Sequence, residues 1–599
     1  MRLDLDAPRL SRAATVLVPV CFGLLSLWLG ADRNFDLLNY HVYNAYAFLD
    51  GRVGRDLAPA GLQSYFNPLL DLPYFILTQR WPRSTGFLMG LLHGLNFVLL
   101  LGIARRALPA LPAGDRVRVP LLLALAGCLT ANFLSELGNT MGDDSTALFV
   151  LGAVYVLLAS WSRIMDASWR ATGILLAAGG LAGLSAGLKL TNAPYCVALC
   201  AAFAVLPLRW PGRLRVASLF GCGVLCGLAL AGGYWFLHMW QVYGDPLFPQ
   251  FSHWFPSPLA RSTDIADTKW LPKGVPEGVA WPFIIAWDSR RVGQIGLWQW
   301  IWPLLYVLFG WWGLRALRRD KRAPDLPAMD ARHRYLLAAI AVGFWSWTVL
   351  FSVYRYLVPM ELLAPLAVFL LCIHLRPYAQ GRRMAAWMLG AATLLVLLGC
   401  DTWGHEAWDD ASFRVEVPAI ESPADTTVLL VGHSPHAWLA PAFPSAVTFA
   451  GVRRGFPESR TYVARLYQLA TDPGRRAYAV VDAHLNWRLD SLSHANDLSA
   501  RFGLRSGPRG CGILHWAIDH LHLHASVTGA TDGSCTLTLA AADAEDTQVE
   551  DRASRAEAVA LLDAYGLTLD GSACVRYMAH VGAGSYPYQW CPVEAEKVH

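Results

Sequence analysis

Charge is scarce where this chain is most apolar. Asp, Glu, Lys and Arg together make up 16% of the 599 residues, and long stretches before Cys400 hold almost none of them. A water-facing surface needs such residues, so that part is not an ordinary soluble domain. An excess of one sign is also missing. The formal net charge is +4, and the basic residues fall in short loops between apolar runs, which speaks for membrane topology and against a nucleic-acid partner. No zinc-type Cys-x-x-Cys pair occurs among the cysteines of the tail, which removes the usual cysteine zinc sites. No small-residue cleavage site follows the first apolar run, so that run reads as an uncleaved anchor although Arg2, Arg9 and Arg12 precede it.

What the chain has instead is hydrophobic length. Its residues are 55% hydrophobic, with a mean hydropathy of +0.34. Apolar runs of about 17 to 22 residues, long enough to cross a hydrocarbon core, recur eleven times: at about 14–30, 85–104, 120–137, 146–161, 171–188, 193–208, 216–238, 298–314, 335–352, 357–374 and 385–400. Arg105 with Arg106, Arg209 with Arg213, the group Arg318, Arg319, Lys321 and Arg322, and Arg382 with Arg383 gather in alternate loops. That bias marks those loops and the N-terminus as inside. An odd number of crossings then leaves everything after Asp401 outside. The expected fold is a polytopic α-helical membrane module of about eleven helices over 1–401, followed by an extracytoplasmic α/β domain over 402–599. Residues 31–83 and 239–297 form long outer loops. Two helices lying on the membrane surface are expected in the first, at 35–49 and at 65–77, the second broken by Pro68 and Pro73.

Twelve cysteines divide between the two regions. Eight fall in or at the end of apolar runs and read as small apolar residues. Cys511, Cys535, Cys574 and Cys591 lie in the tail, where an oxidising compartment permits two disulfides. Four cysteines allow three pairings; the expectation is 511 with 535 and 574 with 591. Short β-rich runs at 426–432 and 477–482 and a helical pattern at 554–565 give the tail its α/β class. His515, His520, His522 and His524 alternate in a way that suits either a solvated strand or a metal on one strand face.

Charges next to the runs on the outer side are informative, because topology bias and desolvation both act against them. Asp36 follows the first run within Asn34-Phe35-Asp36-Leu37-Leu38-Asn39-Tyr40-His41; it suits either a helix cap or a general base. Asp143 and Asp144 sit in a very short outer turn, where they read as solvated, as orienting an acceptor hydroxyl, or as binding a metal such as Mg or Mn. Lys189 and Arg355 lie at two other outer turns. Both break the topology bias and together suit a phosphate, the alternative being long side chains snorkelling from helix ends. The aromatic loop at 239–297 carries Gly244-Asp245-Pro246-Leu247-Phe248-Pro249.

In this order the positions resemble the GT-C glycosyltransferases, the polytopic enzymes that include protein O-mannosyltransferases and the aminoarabinose transferase of lipid A. The likeness covers most of 14–400. Asp36 and Tyr40 match that family's first-loop Asp and surface helix, Asn67-Pro68-Leu69 with Tyr74 match a segment before the second span, Asp143 or Asp144 match its acidic turn, and Lys189 matches the Lys after a Gly-rich fifth span. The Gly-Asp-Pro-Leu-Phe-Pro segment looks like a Gly-Asn-Pro-x-x-Pro motif of bacterial members. Leu37 stands where many relatives have a second acidic residue, and Asn67-Pro68 where Pro-Pro is usual.

The resemblance implies a polyprenyl-phosphate sugar as donor and a glycan, lipid or protein outside the membrane as acceptor. It implies Asp36 as general base, Asp143 and Asp144 as acceptor-positioning groups, and Lys189 and Arg355 as the cations on the departing phosphate, with no metal required. It places Tyr40, His41, Asn67, Tyr74 and Asp245 around the substrates, and the protein in a bacterial inner membrane with a periplasmic tail. Two rivals are a lipid-linked sugar flippase, for which charges inside the spans and internal repeats are expected, and a non-catalytic envelope protein. The spans read as clean and no repeat is evident.

Overall fold

Glycine spacing sets the closest helix packing in this protein. Gly179, Gly183 and Gly187 recur every fourth residue, as do Gly223, Gly227 and Ala231, so each series forms one flat stripe. In the computed structural model the helices that carry them meet stripe to stripe. A Cβ on Gly183 would stand 2.0 Å from the Val224 carbonyl oxygen, and one on Gly227 2.1 Å from that of Gly180. No residue larger than glycine fits there.

The structure describes residues 8–166, 169–262, 267–317, 329–452, 455–521, 523–529, 533–539 and 546–595. Arg2, the basic group at 318–322 and His522 lie outside them. Two compact units divide the chain: Met1–Phe413 with Gly455–Tyr462 and Val581–Ala583, and Arg414–Arg454 with Val463–His580 and Gly584–His599.

The first unit is helical. Its elements are α1 (Pro8–Leu29), α2 (Val42–Leu49), α3 (Leu72–Thr78), α4 (Pro82–Ala107), α5 (Arg118–Gly127), α6 (Ala131–Ser135), α7 (Asp143–Ala159), α8 (Trp161–Met165), α9 (Arg170–Leu188), α10 (Ala193–Ala201), α11 (Trp210–Tyr243), α12 (Val275–Trp287), α13 (Ile301–Leu317), α14 (Ala331–Leu350), α15 (Val358–Leu375) and α16 (Tyr378–Gly399). Among the described residues six helical segments are long and apolar enough to cross a membrane: Arg9–Leu29, Pro82–Ala107, Arg170–Leu188, Trp210–Tyr243, Tyr354–Leu375 and Tyr378–Gly399. They make this a membrane protein. The segment Tyr354–Leu375 is 89% buried and forms the axis of the bundle. Trp210–Tyr243 instead leaves Leu225, Leu230, Tyr234 and Leu237 exposed, an apolar outer face of the kind lipid covers.

Three sequence expectations change here. The runs at 120–137 and 193–208 are not continuous helices: α5 ends at Gly127, where a Cβ would stand 2.7 Å from the Leu362 carbonyl, and α10 tightens into a 3-10 turn at Ala202–Val205. The stretch at 35–49 is not a helix lying on a surface, because Leu37 to Ala47 are all buried. Three of its polar side chains bond to the rest of the loop: the Asn39 amide donates to Gln63 Oε1 (2.6 Å), Asn44 to the Gln63 carbonyl (2.9 Å) and Tyr43 to Asp56 (2.9 Å). The spans are not clean. His93, Asp144 and Glu361 are buried in α4, α7 and α15, and Glu361 keeps its place by accepting from Tyr354 Oη at 2.8 Å and from the Asn132 amide nitrogen at 3.3 Å.

The unit extends past residue 401 because the chain turns back onto it. His405–Glu406 pairs with Ala31–Asp32 as a short antiparallel ladder, Trp403 N–H donates to the Ser135 carbonyl, and the Trp408 indole to that of Leu27 at 2.8 Å.

The second unit is α/β. Strand Thr426–Val431 is β-rich and wholly buried, so it occupies the sheet interior, parallel to Thr448–Val452 on one side and to Arg476–Asp482 on the other. Tyr588–Ala595 then runs antiparallel to Arg476–Asp482 and also pairs with Leu567–Leu569 and Val575–Tyr577. A helix at Thr547–Asp563 contains most of the expected 554–565 pattern. Both disulfides form as expected, 511 with 535 and 574 with 591, at Cα–Cα distances of 5.9 and 4.2 Å. The histidine cluster is not on a strand: His515 and His520 lie in helix Gly507–Leu521, and His524 just before strand Ala525–Gly529. Apolar residues at helical spacing there outweigh the short polar alternation.

Candidate functional site

The first outer loop opens with Asp32, which acts as an anchor. Its carboxylate accepts from Asn34 N (2.9 Å), from Thr140 N (2.8 Å) and from Thr140 Oγ1 (2.8 Å), tying the loop to the turn before α7. That turn ends on Gly142 at φ +83°, a conformation that favours glycine, and delivers Asp143 as the first residue of the helix. Asp32 thus ties the loop that carries Asp36 to the turn that carries Asp143.

Asp36 does not cap a helix. Its backbone is already helical, and its side chain makes no capping hydrogen bond. It meets Arg355 instead, with Oδ2 2.6 Å from Nη1. Arg355 comes from the 3-10 turn Tyr354–Leu357 at the head of α15. Three contacts fix that turn: Tyr354 N–H to the Val292 carbonyl (2.7 Å), the Asn132 amide to the Tyr354 carbonyl (2.9 Å), and Tyr195 Oη to the Tyr356 carbonyl. A second ion pair joins Lys189 Nζ to Asp143 Oδ2 at 2.6 Å, and Lys189 also donates to the Met141 carbonyl at 2.7 Å. One ring links the two pairs. The Tyr356 centroid lies 5.4 Å from Lys189 Nζ and 5.1 Å from Arg355 Cζ, within cation–π range of both.

Burial pushes the Asp36 carboxyl up, but Arg355, His41 and Lys189 outweigh it and hold the group below the ordinary carboxylate range. Asp71 is raised, because burial exceeds the opposing effect of His41. Tyr40 Oη lies 3.4 Å from Asp36 Oδ2, and His41 Nδ1 lies 2.6 Å from Asp71 Oδ1.

A cavity of about 190 Å³ opens on this constellation, lined by Asp36, Arg355, Tyr356 and Trp403 together with Gln63, Asn132, Asp267, Trp270 and residues of the segment between α12 and α13. It is smaller than the roughly 300 Å³ at which drug-sized sites begin, so it suits a polar head group. The Arg355 guanidinium also faces the Trp403 ring at 5.9 Å.

Other expected site residues go elsewhere. Asp144 turns into the bundle, fully buried, with Oδ2 3.5 Å from His93 Nδ1. That nitrogen already accepts from Gly138 N–H (3.2 Å), so His93 is neutral there and offers Asp144 no charge. Asn67 donates to the Gly187 (3.0 Å) and Ala231 (2.9 Å) carbonyls and accepts from Leu69 N–H (3.1 Å), so it fastens the loop to α9 and α11 rather than facing a ligand. Tyr74 does not line the cavity; it lies on α3, where burial and, less, the Asp32 charge raise its hydroxyl. Asp245 is buried in its own turn, accepting from Leu247 N–H at 2.9 Å, and burial pushes it up to about 6.

Tyr356, Asp71 and Trp403 were not foreseen. Tyr356 adjoins Arg355 within Tyr-Arg-Tyr, a signal that was available; Asp71 stood as an unexplained carboxylate in an apolar segment. A divalent cation does not fit the acidic turn. Asp143 is held by Lys189, Asp144 points away, and among the described residues no group of three or more His, Cys, Asp and Glu is arranged to hold a metal. Compared with known proteins, the chain matches no family model and no curated protein.

Proposed function

We propose that this protein is a membrane glycosyltransferase that moves a sugar from a polyprenyl-phosphate donor to an acceptor outside the membrane. The reading includes an eleven-span topology with the N-terminus inside, a periplasmic tail and a bacterial inner-membrane location. One observation carries it: two carboxylates and two cations from four separate segments meet as paired ions around Tyr356, with the Asp36–Arg355 pair at a polar cavity. A bundle serving only as an anchor has no use for them.

The chemistry follows from exchange of partners. A donor phosphate competes with Asp36 for Arg355, because a guanidinium binds phosphate as well as carboxylate. Once released, Asp36 takes the proton of the acceptor hydroxyl as that oxygen bonds to the anomeric carbon. The bond from that carbon to the phosphate oxygen breaks, and its electron pair leaves with the lipid phosphate beside Arg355 and Lys189. A single displacement of this kind inverts the anomeric centre. Asp143 holds Lys189 in place between turnovers.

The test is Asp36→Asn in membranes supplied with a radiolabelled polyprenyl-phosphate sugar. Transfer should fall by about 100-fold or more, with expression and donor binding retained; unchanged transfer removes the base assignment. A periplasmic phosphatase fused after residue 401 should be active, and an inactive fusion reverses the topology.

A flippase is favoured by one fact, the buried His93, Asp144 and Glu361 in the bundle. Fluorescent lipid-linked sugar in proteoliposomes separates the two: scrambling without glycosidic bond cleavage is the flippase outcome.

A further inference from the structure

The segment after α16 returns to the first loop as a strap. Besides the ladder of His405–Glu406 on Ala31–Asp32, Arg33 N–H donates to the Gly404 carbonyl at 3.3 Å and the Arg33 guanidinium meets Glu406 at 3.2 Å. Gly404 takes φ +106°, a conformation that favours glycine, and Trp403 just before it stands in the cavity wall. The Trp403 backbone N–H donates to the Ser135 carbonyl at 3.3 Å. Ser135 closes α6, whose Asn132 holds the Tyr354 carbonyl at 2.9 Å. One short helix therefore fixes both Trp403 and the turn that carries Arg355.

Arg355 Cζ lies over the Trp403 ring at 5.9 Å and over the Tyr356 ring at 5.1 Å. A ring face attracts the whole cation and takes none of its N–H groups, so it steadies the charge without competing with an anion for donors. Asp36 does compete, since it occupies Nη1 at 2.6 Å. The indole N–H of Trp403 does not account for the residue. Nε1 is buried and has no hydrogen-bond partner among the described residues, whereas a tryptophan seated at a membrane surface keeps its N–H in the wet layer. An unpaired buried donor costs stability. What the position has in return is the ring with the strongest attraction for a cation.

We propose that Trp403 is a positioning residue for the donor phosphate, acting through Arg355: its ring keeps the guanidinium at the cavity once the phosphate has drawn it off Asp36. The inference rests on the donor-phosphate part of the reading above. In the resting site the ion pair fixes Arg355. During turnover that partner is given up, and a long side chain without a fixed partner is free to turn away. The ring faces of Trp403 and Tyr356 stay over the cation in that state, so its N–H groups remain directed to the phosphate. The strap after α16 thereby completes the phosphate site, a part that charge and motif spacing in the helices do not supply.

The experiment uses the full chain in lipid nanodiscs and reads the Kd of radiolabelled undecaprenyl phosphate. Trp403→Leu removes the ring and should weaken binding by about 10-fold. Trp403→Phe keeps a ring face and should stay within about 3-fold of wild type. In a chain carrying Asp36→Asn and Arg355→Ala, adding Trp403→Leu should make no further difference, which a merely structural role would not produce. Unchanged affinity in Trp403→Leu, an equal loss in Trp403→Phe, or the same loss with and without Arg355 overturns the role of Trp403 and leaves the transferase standing. A wild-type chain that binds undecaprenyl phosphate yet consumes none of undecaprenyl-phosphate mannose, glucose and aminoarabinose overturns the transferase reading instead. One that does not bind undecaprenyl phosphate overturns both.

Discussion

The helical unit and the C-terminal α/β unit solve the burial of polar groups in opposite ways. Among its described residues the α/β unit buries one carboxylate, Asp551, beside Arg576, and it closes its fold with a buried strand, Thr426–Val431, and two covalent links. The helical unit buries Asp36, Asp71, Asp143 and Asp144 and, apart from Asp144, sets a side chain from another segment against each: Arg355, His41 and Lys189. Buried ion pairs add little net stability over apolar packing, but breaking one leaves an uncompensated charge. The helical unit therefore depends on placement of single atoms, and the α/β unit on total apolar burial.

That contrast is broken most severely at the glycine stripe. Gly183→Leu puts a side chain where even a Cβ is 2.0 Å from a carbonyl oxygen; a loss of more than about 4 kcal/mol is expected, read as absence of monodisperse protein after detergent extraction. Arg355→Ala comes next. It strands Asp36 and should lower stability by about 3–5 kcal/mol, with Asp36→Asn added to it restoring much of the loss in thermal melts. A double mutant that does no better than Arg355→Ala would mean the pair is not what holds this corner.

The α/β unit should respond differently. Cys574→Ser with Cys591→Ser opens a link of sequence separation 17 and should cost that unit about 3 kcal/mol. Hydrogen exchange should show the loss in the strands around Tyr588–Ala595, with α9 and α11 unaffected; equal deprotection of both units would erase the distinction.

The smallest effect depends on pH. The folded-state value of Asp245 is raised to about 6 from 3.8. Its contribution is therefore complete below about pH 4 and is lost as pH rises through about 6. Asp245→Asn should be neutral near pH 4 and stabilising by about 2–3 kcal/mol above pH 7, measured by melts across that range. A constant difference at all pH values would refute the burial argument.

Much of this was legible beforehand, for identifiable reasons. The four ions Asp36, Asp143, Lys189 and Arg355 could be picked out because charge at the outer end of an apolar run is costly and so conspicuous. The tail strands and both disulfides could be anticipated because β-rich runs and cysteines are local signals. Glu361 was passed over because a single carboxylate disappears inside an apolar average. Asn67 was misjudged because its two acceptor carbonyls, Gly187 and Ala231, lie on other helices. The pairing of His41 with Asp71 joins residues 30 apart in the chain, which no local residue pattern announces.

By itself the sequence determined that long apolar helices precede a disulfide-bearing α/β tail, since hydrophobic length and cysteine content are properties of the chain. It also determined which charges are stranded outside the apolar runs. Only the tertiary structure decided which of them meet, because an ion pair a few ångströms long is set by helix packing over hundreds of residues. The glycine stripe brings α9 against α11 at the end where Lys189 begins, the Asp32 anchor brings Asp143 to the first loop, and the turn before α15 brings Arg355 to Asp36.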